Sequence, residues 1–506
     1  WDAKEKQRVL ARDIFGIKPL YYQHEGNRLI WGSEIKSFLA HPRFKKELNR
    51  EALPQYLCFE YMNDSQTMFK DVHKMTPGHF MVFKDGKATI ECFYKITYKI
   101  DRSKGLEEWA DIIKNTFDES VRAHEIADVE IGSFLSGGID SSLAAYCMGQ
   151  HHDEGVKTFS VGYDITGSEE QRDKAENAGF KIKLDELKDA REFAEWAGLS
   201  NKDVQVTAKE FLDIVPTEQY HMDEPLGAPS AIPLYFVSQL ASKEVKVVQS
   251  GEGADELFGG YPMYLAGGHF DHYSHKVPRP VRKVLGTVAK HCPNFKGKNF
   301  LVRGAMEPYQ RFMRANYVFQ SAERQKFLKR PIASKVPEEY SKRYFDEVSN
   351  LDEPTQLQYV DMHTWMIYDI LLKADRMSMA NSLELRVPFL DKKMLELSTR
   401  IPSRYRAANE TTKIALRGAA IKQLPERTAN KKKLGFPVPL NDWLREDKYY
   451  NKVKAAFQSD IAEKFFVTSE LMKLLDDHKS GKALNMQKIW SFYTFILWYE
   501  QFFVLN

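Results

Sequence analysis

Hydrophobic and polar positions change their rhythm near residue 100. Up to about residue 97, short β-like runs such as RVLARD, PLYYQH, RLIWGS and HFMVFKDG are punctuated by Gly, Pro and Asn, which predicts a β-rich domain. From about residue 105, EEWADIIKNTFDESVRAHE spaces its apolar residues as a helix does, and the abrupt run VEIGSFL after it predicts a buried strand. SLAAYCMGQ reads as the next helix, VKTFSVGY as a second buried strand, and VKVVQSGEGADE as a strand ending in a glycine-rich turn. Strands alternating with helices predict an α/β fold with a doubly wound parallel sheet. Beyond about residue 270 the pattern is mainly helical. The charged stretch GSEEQRDKAENAGFKIKLDELKDAREFAEW is expected to be an exposed helical insertion. The apolar run WSFYTFILWYEQFFVL is broken by Glu500 and Gln501 before it reaches spanning length, and is expected to be a buried terminal helix.

Size and charge narrow the function classes. A chain of 506 residues is too long for one ordinary core, so two or three domains are expected, and 43% hydrophobic residues suffice to build them. Lys and Arg number 73 against 70 Asp and Glu, a near-balance that gives no bulk field for nucleic acid or an anionic membrane, so neither is expected as a partner. Any basic function must be local. Cys58, Cys92, Cys147 and Cys292 are scattered without a CxxC pair or metal-ligand spacing, which suits reduced thiols and a cytoplasmic location. The chain opens at Trp1 rather than Met, without a signal peptide, and is expected to lack its true beginning.

The strongest chemical signal is Ser136, Gly137, Gly138, Ile139, Asp140, Ser141 and Ser142, set between the expected strand and helix. Paired glycines let backbone approach an anion, while serine hydroxyls and the N–H groups of the helix start supply donors. The plainer alternative is a tight strand-to-helix turn capped by serine. Neither GK[ST] nor GxGxxG is present, so this is neither a Walker loop nor a dinucleotide fingerprint. Asp140 would repel phosphate unless a divalent cation bridged them, which points to Mg²⁺ held by one or two carboxylates. A second carboxylate is expected from the turn at residues 251–256, because both loops leave the carboxyl ends of strands in one sheet.

These two motifs resemble those of the N-type ATP pyrophosphatases, which cleave ATP between its α and β phosphates; GMP and NAD synthetases and tRNA-modifying enzymes share the loop. Four further runs make the resemblance narrower: DEPLGAPSAIPLY at 223–235, SGEGADELFGGY at 250–261, LLKADRMSMANSLELRVPFLD at 371–391 and KKKLGFPVPL at 431–440. With ARDIFGIKPLYY and WGSEIKSFLAHP near the front, the chain resembles the glutamine-hydrolysing asparagine synthetases over nearly its whole length. The resemblance implies the tail of a class II glutaminase (Ntn-type) domain over residues 1–97 and an ATP pyrophosphatase domain over 105–506. It implies a ligase that adenylates the side-chain carboxylate of aspartate with ATP and Mg²⁺, then lets ammonia displace AMP to give asparagine, AMP and pyrophosphate.

Carried over residue by residue, Leu135, Val161, Ser250 and Gly251 match backbone positions that cradle adenosine, and residues 136–142 match the pyrophosphate loop. Asp140 and Asp255 match the Mg²⁺ ligands. Glu252 matches a carboxylate that takes a proton from the attacking ammonia, although a structural ion pair is the plainer role. Lys433 matches a lysine facing the charge that develops on the phosphates, with a solvated surface lysine as its alternative; Lys431 is expected to be nearly dispensable. Asp375, Arg376, Glu384 and Arg386, in a helix-like segment, are expected to support the site rather than react.

Two departures stand out near the acceptor: Ala228 occupies a place where many relatives carry an acid, and the charged segment after Val161 is longer than usual. The family's glutaminase also uses an N-terminal cysteine nucleophile, which no cysteine here supplies, so ammonia rather than glutamine is the expected nitrogen source for this polypeptide. The alternatives are an amidotransferase or β-lactam-synthetase-like enzyme acting on another carboxylate, and a scaffold without catalysis, which would tolerate loss of the metal carboxylates. The oligomeric state stays open, a homo-oligomer included.

Overall fold

Strands β1 (Arg8–Ala11), β2 (Tyr21–Glu25), β3 (Arg28–Gly32), β4 (His73–Lys74), β5 (His79–Lys84) and β6 (Lys87–Cys92) form two antiparallel three-stranded sheets, ordered β1-β5-β6 and β3-β2-β4. The computed structural model describes residues 1–153, 155–164, 186–312, 317–319, 321–333, 335–432 and 438–505. A helix, Leu53–Phe59, lies between β3 and β4 and buries all but its last residue. The β-rich front of the chain is therefore not purely β.

After the helix Leu106–Ala123 comes a five-stranded sheet: β7 (Ile131–Phe134), β8 (Lys157–Tyr163), β9 (Ser200–Val206), β10 (Val247–Gln249) and β11 (Glu384–Arg386). All four pairings are parallel and the order is β11-β10-β7-β8-β9, the doubly wound sheet expected from the alternating pattern. The buried strands β7, β8 and β10 sit where the apolar runs predict them. β9 was not expected: SNKDVQV is polar and half-exposed, as an edge strand covered on one side can be. β11 corrects another expectation, since the helix-like stretch ends with the helix Leu372–Met379 and Glu384–Arg386 pairs with β10. Of the charged insertion, residues 167–185 lie outside the described residues, and Glu186–Ala197 is a helix.

The C-terminal part is mainly helical. Its last long helix, Met486–Glu500, is buried from Ile489 through Tyr499. Phe495 packs near Tyr56, Trp498 meets Phe69 edge-on, and the Trp498 indole N–H donates to the Asp223 carbonyl at 2.7 Å. The apolar run is thus an aromatic core element, and among the described residues no helix is long and apolar enough to cross a membrane.

Candidate active site

The order of the parallel sheet reverses between β7 and β10: the chain lays β7, β8 and β9 outward, then returns to add β10 and β11 on the other flank. Loops leaving the carboxyl ends of two strands at such a point diverge and open a crevice. Here the loop after β7 is residues 135–138 and the loop after β10 is 250–253. Between them lies a cleft of about 380 Å³ lined by Leu135, Ser136, Gly138, Asp140, Ser141, Val161, Ser250, Gly251, Glu252 and Asp255.

Within the first loop the Ser136 N–H donates to Ser141 Oγ at 3.1 Å, the two hydroxyls are 3.0 Å apart, and Ser141 Oγ donates to the Gly138 carbonyl at 3.3 Å. These bonds hold the loop in shape before any ligand arrives. The helix Ile139–His151 starts directly after Gly138 without a side-chain cap, so its first-turn amides and its dipole face the cleft side of the loop. Gly137 and Ser142 do not line the cleft. Gly137 has φ of +68°, and a β-carbon there would lie 2.7 Å from the Asp189 carbonyl carbon. Ser142 is buried behind the loop, its N–H donating to the Gly138 carbonyl at 3.0 Å.

Gly251 brings the two loops together: a β-carbon on it would lie 2.8 Å from both Asp140 Cβ and the Ser141 amide nitrogen. Asp140 and Asp255 converge as a result, on Lys413. Its ammonium lies 2.6 Å from Asp140 Oδ2 and 2.7 Å from Asp255 Oδ1, and its side chain is 1% exposed. The other oxygen of Asp140, Oδ1, is buried and has no hydrogen-bond partner among the described residues. A buried carboxylate oxygen left open beside a second carboxylate fits a hard divalent cation. Among the described residues no group of three or more His, Cys, Asp or Glu could hold a metal, so such a cation would take its remaining ligands from phosphate and water, as Mg²⁺ does.

Arg417 braces this side of the cleft, donating to the Ala429 carbonyl at 2.6 Å and the Lys431 carbonyl at 3.0 Å. Burial lowers its pKa, with the charges of Asp140 and Asp255 acting in the opposite direction. Lys431, expected to be nearly dispensable, instead donates to the Gly137 carbonyl at 3.1 Å and pairs with Asp189 at 2.7 Å. It ties the phosphate-type loop to the helix Glu186–Ala197. Lys433 lies outside the described residues.

The far wall of the cleft carries Tyr261, Trp365, Ile370 and Lys373. The Lys373 ammonium pairs with Asp369 at 2.8 Å, both side chains buried, and the chain from Met366 to Leu371 makes π-helical turns just before it. Tyr261 donates its hydroxyl to Glu256 Oε1 at 2.7 Å. A buried cation facing a phosphate-type loop across one cleft suits a second, anionic substrate.

Of the charged residues after this wall, Asp375 pairs with Lys18 at 2.8 Å. Arg376 is buried between Asp223 at 2.9 Å and Glu34 at 3.1 Å, joining the N-terminal sheets to the part built on the parallel sheet. Glu384 and Arg386 pair with each other on β11, at 2.7 Å. Lys413, Arg417 and Lys373 were missed from sequence: TTKIALR has no glycine punctuation and no acid within it to single out its lysine.

Comparison with known proteins identifies the family. The family model of asparagine synthase matches residues 113–500, and that of a glutamine amidotransferase domain matches residues 1–94. The glutamine-hydrolysing asparagine synthetase 1 of Bacillus subtilis is 37% identical over 505 residues, covering 99% of this chain and 76% of that protein. A putative asparagine synthetase of Mycobacterium bovis is 33% identical over 518 residues, with the same coverage of both chains. More distant is the amidase chry2 of Gibberella zeae, 26% identical over 88% of this chain and 69% of its own length. The chain belongs to the asparagine synthase family.

Proposed function

We propose that the chain makes asparagine by adenylating the side-chain carboxylate of aspartate with ATP and passing the acyl-adenylate to ammonia. The observation that carries this is the convergence of Asp140 and Asp255 at the switch-point cleft, between an uncapped helix start and a buried lysine. Ser136, Gly138, Ile139, Asp140 and Ser141 would cradle the pyrophosphate part of ATP, with Leu135, Val161, Ser250 and Gly251 along the adenosine. Asp140 and Asp255 would hold Mg²⁺, which when bound neutralises phosphate charge at the breaking bond. Lys373 gives the incoming carboxylate a cation, and Glu252, which lines the cleft, would take a proton from ammonia. A carboxylate is a poor acyl donor, whereas its mixed anhydride with AMP has a good leaving group.

None of the four cysteines lines this cleft: Cys58 and Cys147 are buried, Cys92 is exposed and Cys292 is half-buried. Ammonium is proposed as the nitrogen source for these 506 residues, and glutamine is the alternative source to test. A second reading, amidation of a different carboxylate, is favoured by Ala228, which stands where an acid is expected, and by a relative named as an amidase. Pyrophosphate release with aspartate against a panel of carboxylates, each with ammonium or glutamine, tests both. Release that needs aspartate and ammonium supports the first reading; release driven by another carboxylate replaces it with the second.

A further inference from the structure

Residues 272–306 contain eight Lys or Arg and no Asp or Glu, in a chain that is otherwise close to charge balance. The segment folds around the helix Arg279–His291, whose buried residues are only Gly286 and Ala289. A β-carbon on Gly286 would collide with that of Ala305, so the helix lies close against the end of the helix Lys298–Gly304 through its small side. Its large apolar residues point elsewhere. Val281, Val284, Leu285 and Val288, at i, i+3, i+4 and i+7, are 48%, 63%, 39% and 56% exposed. Phe295 and Phe300 are exposed nearby.

An amphipathic helix in a globular protein normally turns such a stripe to the core. Here the stripe faces solvent and basic side chains surround it. Arg279 is paired with Glu307 at 2.6 Å, and Arg282 donates to the Val277 and Gly304 carbonyls at 3.0 Å. Lys276, Lys283, Lys290 and Lys296 are exposed and have no acidic partner among the described residues. A surface that is both apolar and positive complements one that is both apolar and negative. A second copy of this chain would set lysines against lysines across a two-fold contact. A nucleic-acid backbone would use the lysines but leave the valines without a role.

We propose that the face formed by Arg279–His291 is a docking surface for an anionic phospholipid bilayer, the valine and leucine stripe entering the acyl boundary and the lysines meeting the headgroups. Tyr261 lines the cleft, and the 15-residue helix Pro262–Lys276 separates it from the basic face by about 22 Å of helix length.

The test is sedimentation of the full chain with vesicles of phosphatidylcholine alone and of phosphatidylcholine mixed with phosphatidylglycerol. Binding is expected only to the mixed vesicles, falling as salt is raised. Val284→Asp with Val288→Asp, and separately Lys283→Glu with Lys290→Glu, should each weaken binding roughly tenfold or more. Both variants should keep the melting temperature and solution activity of the parent, since these side chains are exposed. Three results overturn the proposal: the parent stays in the supernatant with the mixed vesicles, the valine variant binds them as well as the parent, or the valine variant turns a dimeric parent into a monomer.

Discussion

Lys413 sits at φ of 56° immediately before the helix Ile414–Ile421, and its buried ammonium contacts two carboxylates. Removing one partner of a buried ion pair leaves charge without compensation, typically at a cost of about 3–5 kcal/mol. Lys413→Met is therefore expected to lower stability by about that amount and to abolish pyrophosphate release; if the two carboxylates bind Mg²⁺, added Mg²⁺ should raise its melting temperature more than the parent's. Asp140→Asn and Asp255→Asn should each abolish pyrophosphate release, because either removes half the anionic hold on the cation. Release that persists at unchanged Mg²⁺ demand would make both aspartates structural. For the lysines of the 431–433 run the expectations differ. Lys433→Met, on family resemblance, should keep the fold and lose about a hundredfold or more in rate. Lys431→Met loses the bond to the Gly137 carbonyl and the pair with Asp189. It should cost about tenfold in kcat/KM for ATP, the size of one charge-assisted hydrogen bond, and leave turnover at saturation less affected.

At the scale of elements, the helix Ala208–Met222 shows how a polar residue enters a core. Its start is held by a capping box in which Thr207 and Glu210 bond reciprocally. Near its other end Glu218 is 2% exposed; Oε2 accepts from the Gln219 amide at 2.7 Å, and Oε1 has no hydrogen-bond partner among the described residues. Burial pushes the carboxyl up to about 8, the Gln219 bond opposing it. A folded-state value raised above the unfolded one means stability that is complete below about pH 4.5 and is lost as pH rises toward 8. Glu218→Gln removes that titration. The variant should gain on the parent by about 3 kcal/mol between pH 5 and pH 8, read from urea unfolding at the two values. An equal difference at both would mean that the carboxyl is ionised in the fold.

Across the whole molecule, the two parts of the chain share a core. Tyr56 and Phe69 come from the first 97 residues, Phe211 from the middle, and Phe492, Phe495 and Trp498 from the terminal helix, all in one buried cluster. Charges cross the same junction: Lys74 pairs with Glu224 at 2.9 Å, and Arg376 with Asp223 and Glu34. Excising residues 105–506 at the domain boundary expected from resemblance would strip the aromatic cluster of one wall and leave Asp223 and Glu224 short of partners. That piece should aggregate on gel filtration, whereas a monodisperse piece with full ammonium-dependent activity would show that the junction contributes little.

What the sequence determined by itself was local. SGGIDSS and SGEGADE announce their chemistry because the glycines, serines and acids that shape each loop lie within a few residues of one another. The buried strands β7, β8 and β10 are legible for the same reason, being short runs rich in Val, Ile and Phe bounded by turns. Only the tertiary structure decided the rest. β9 hides in a polar stretch because one pairing covers it, and β11 in a segment whose helical pattern runs up to it. Lys413 meets Asp140 from 273 positions away, and nothing in either neighbourhood refers to the other. Likewise the stripe Val281, Val284, Leu285 and Val288 has the periodicity of a core helix, and only packing shows that it faces solvent. Backbone preference and apolar spacing act over a few residues, whereas which side chains meet, and which face stays uncovered, depends on how all the elements fill space together.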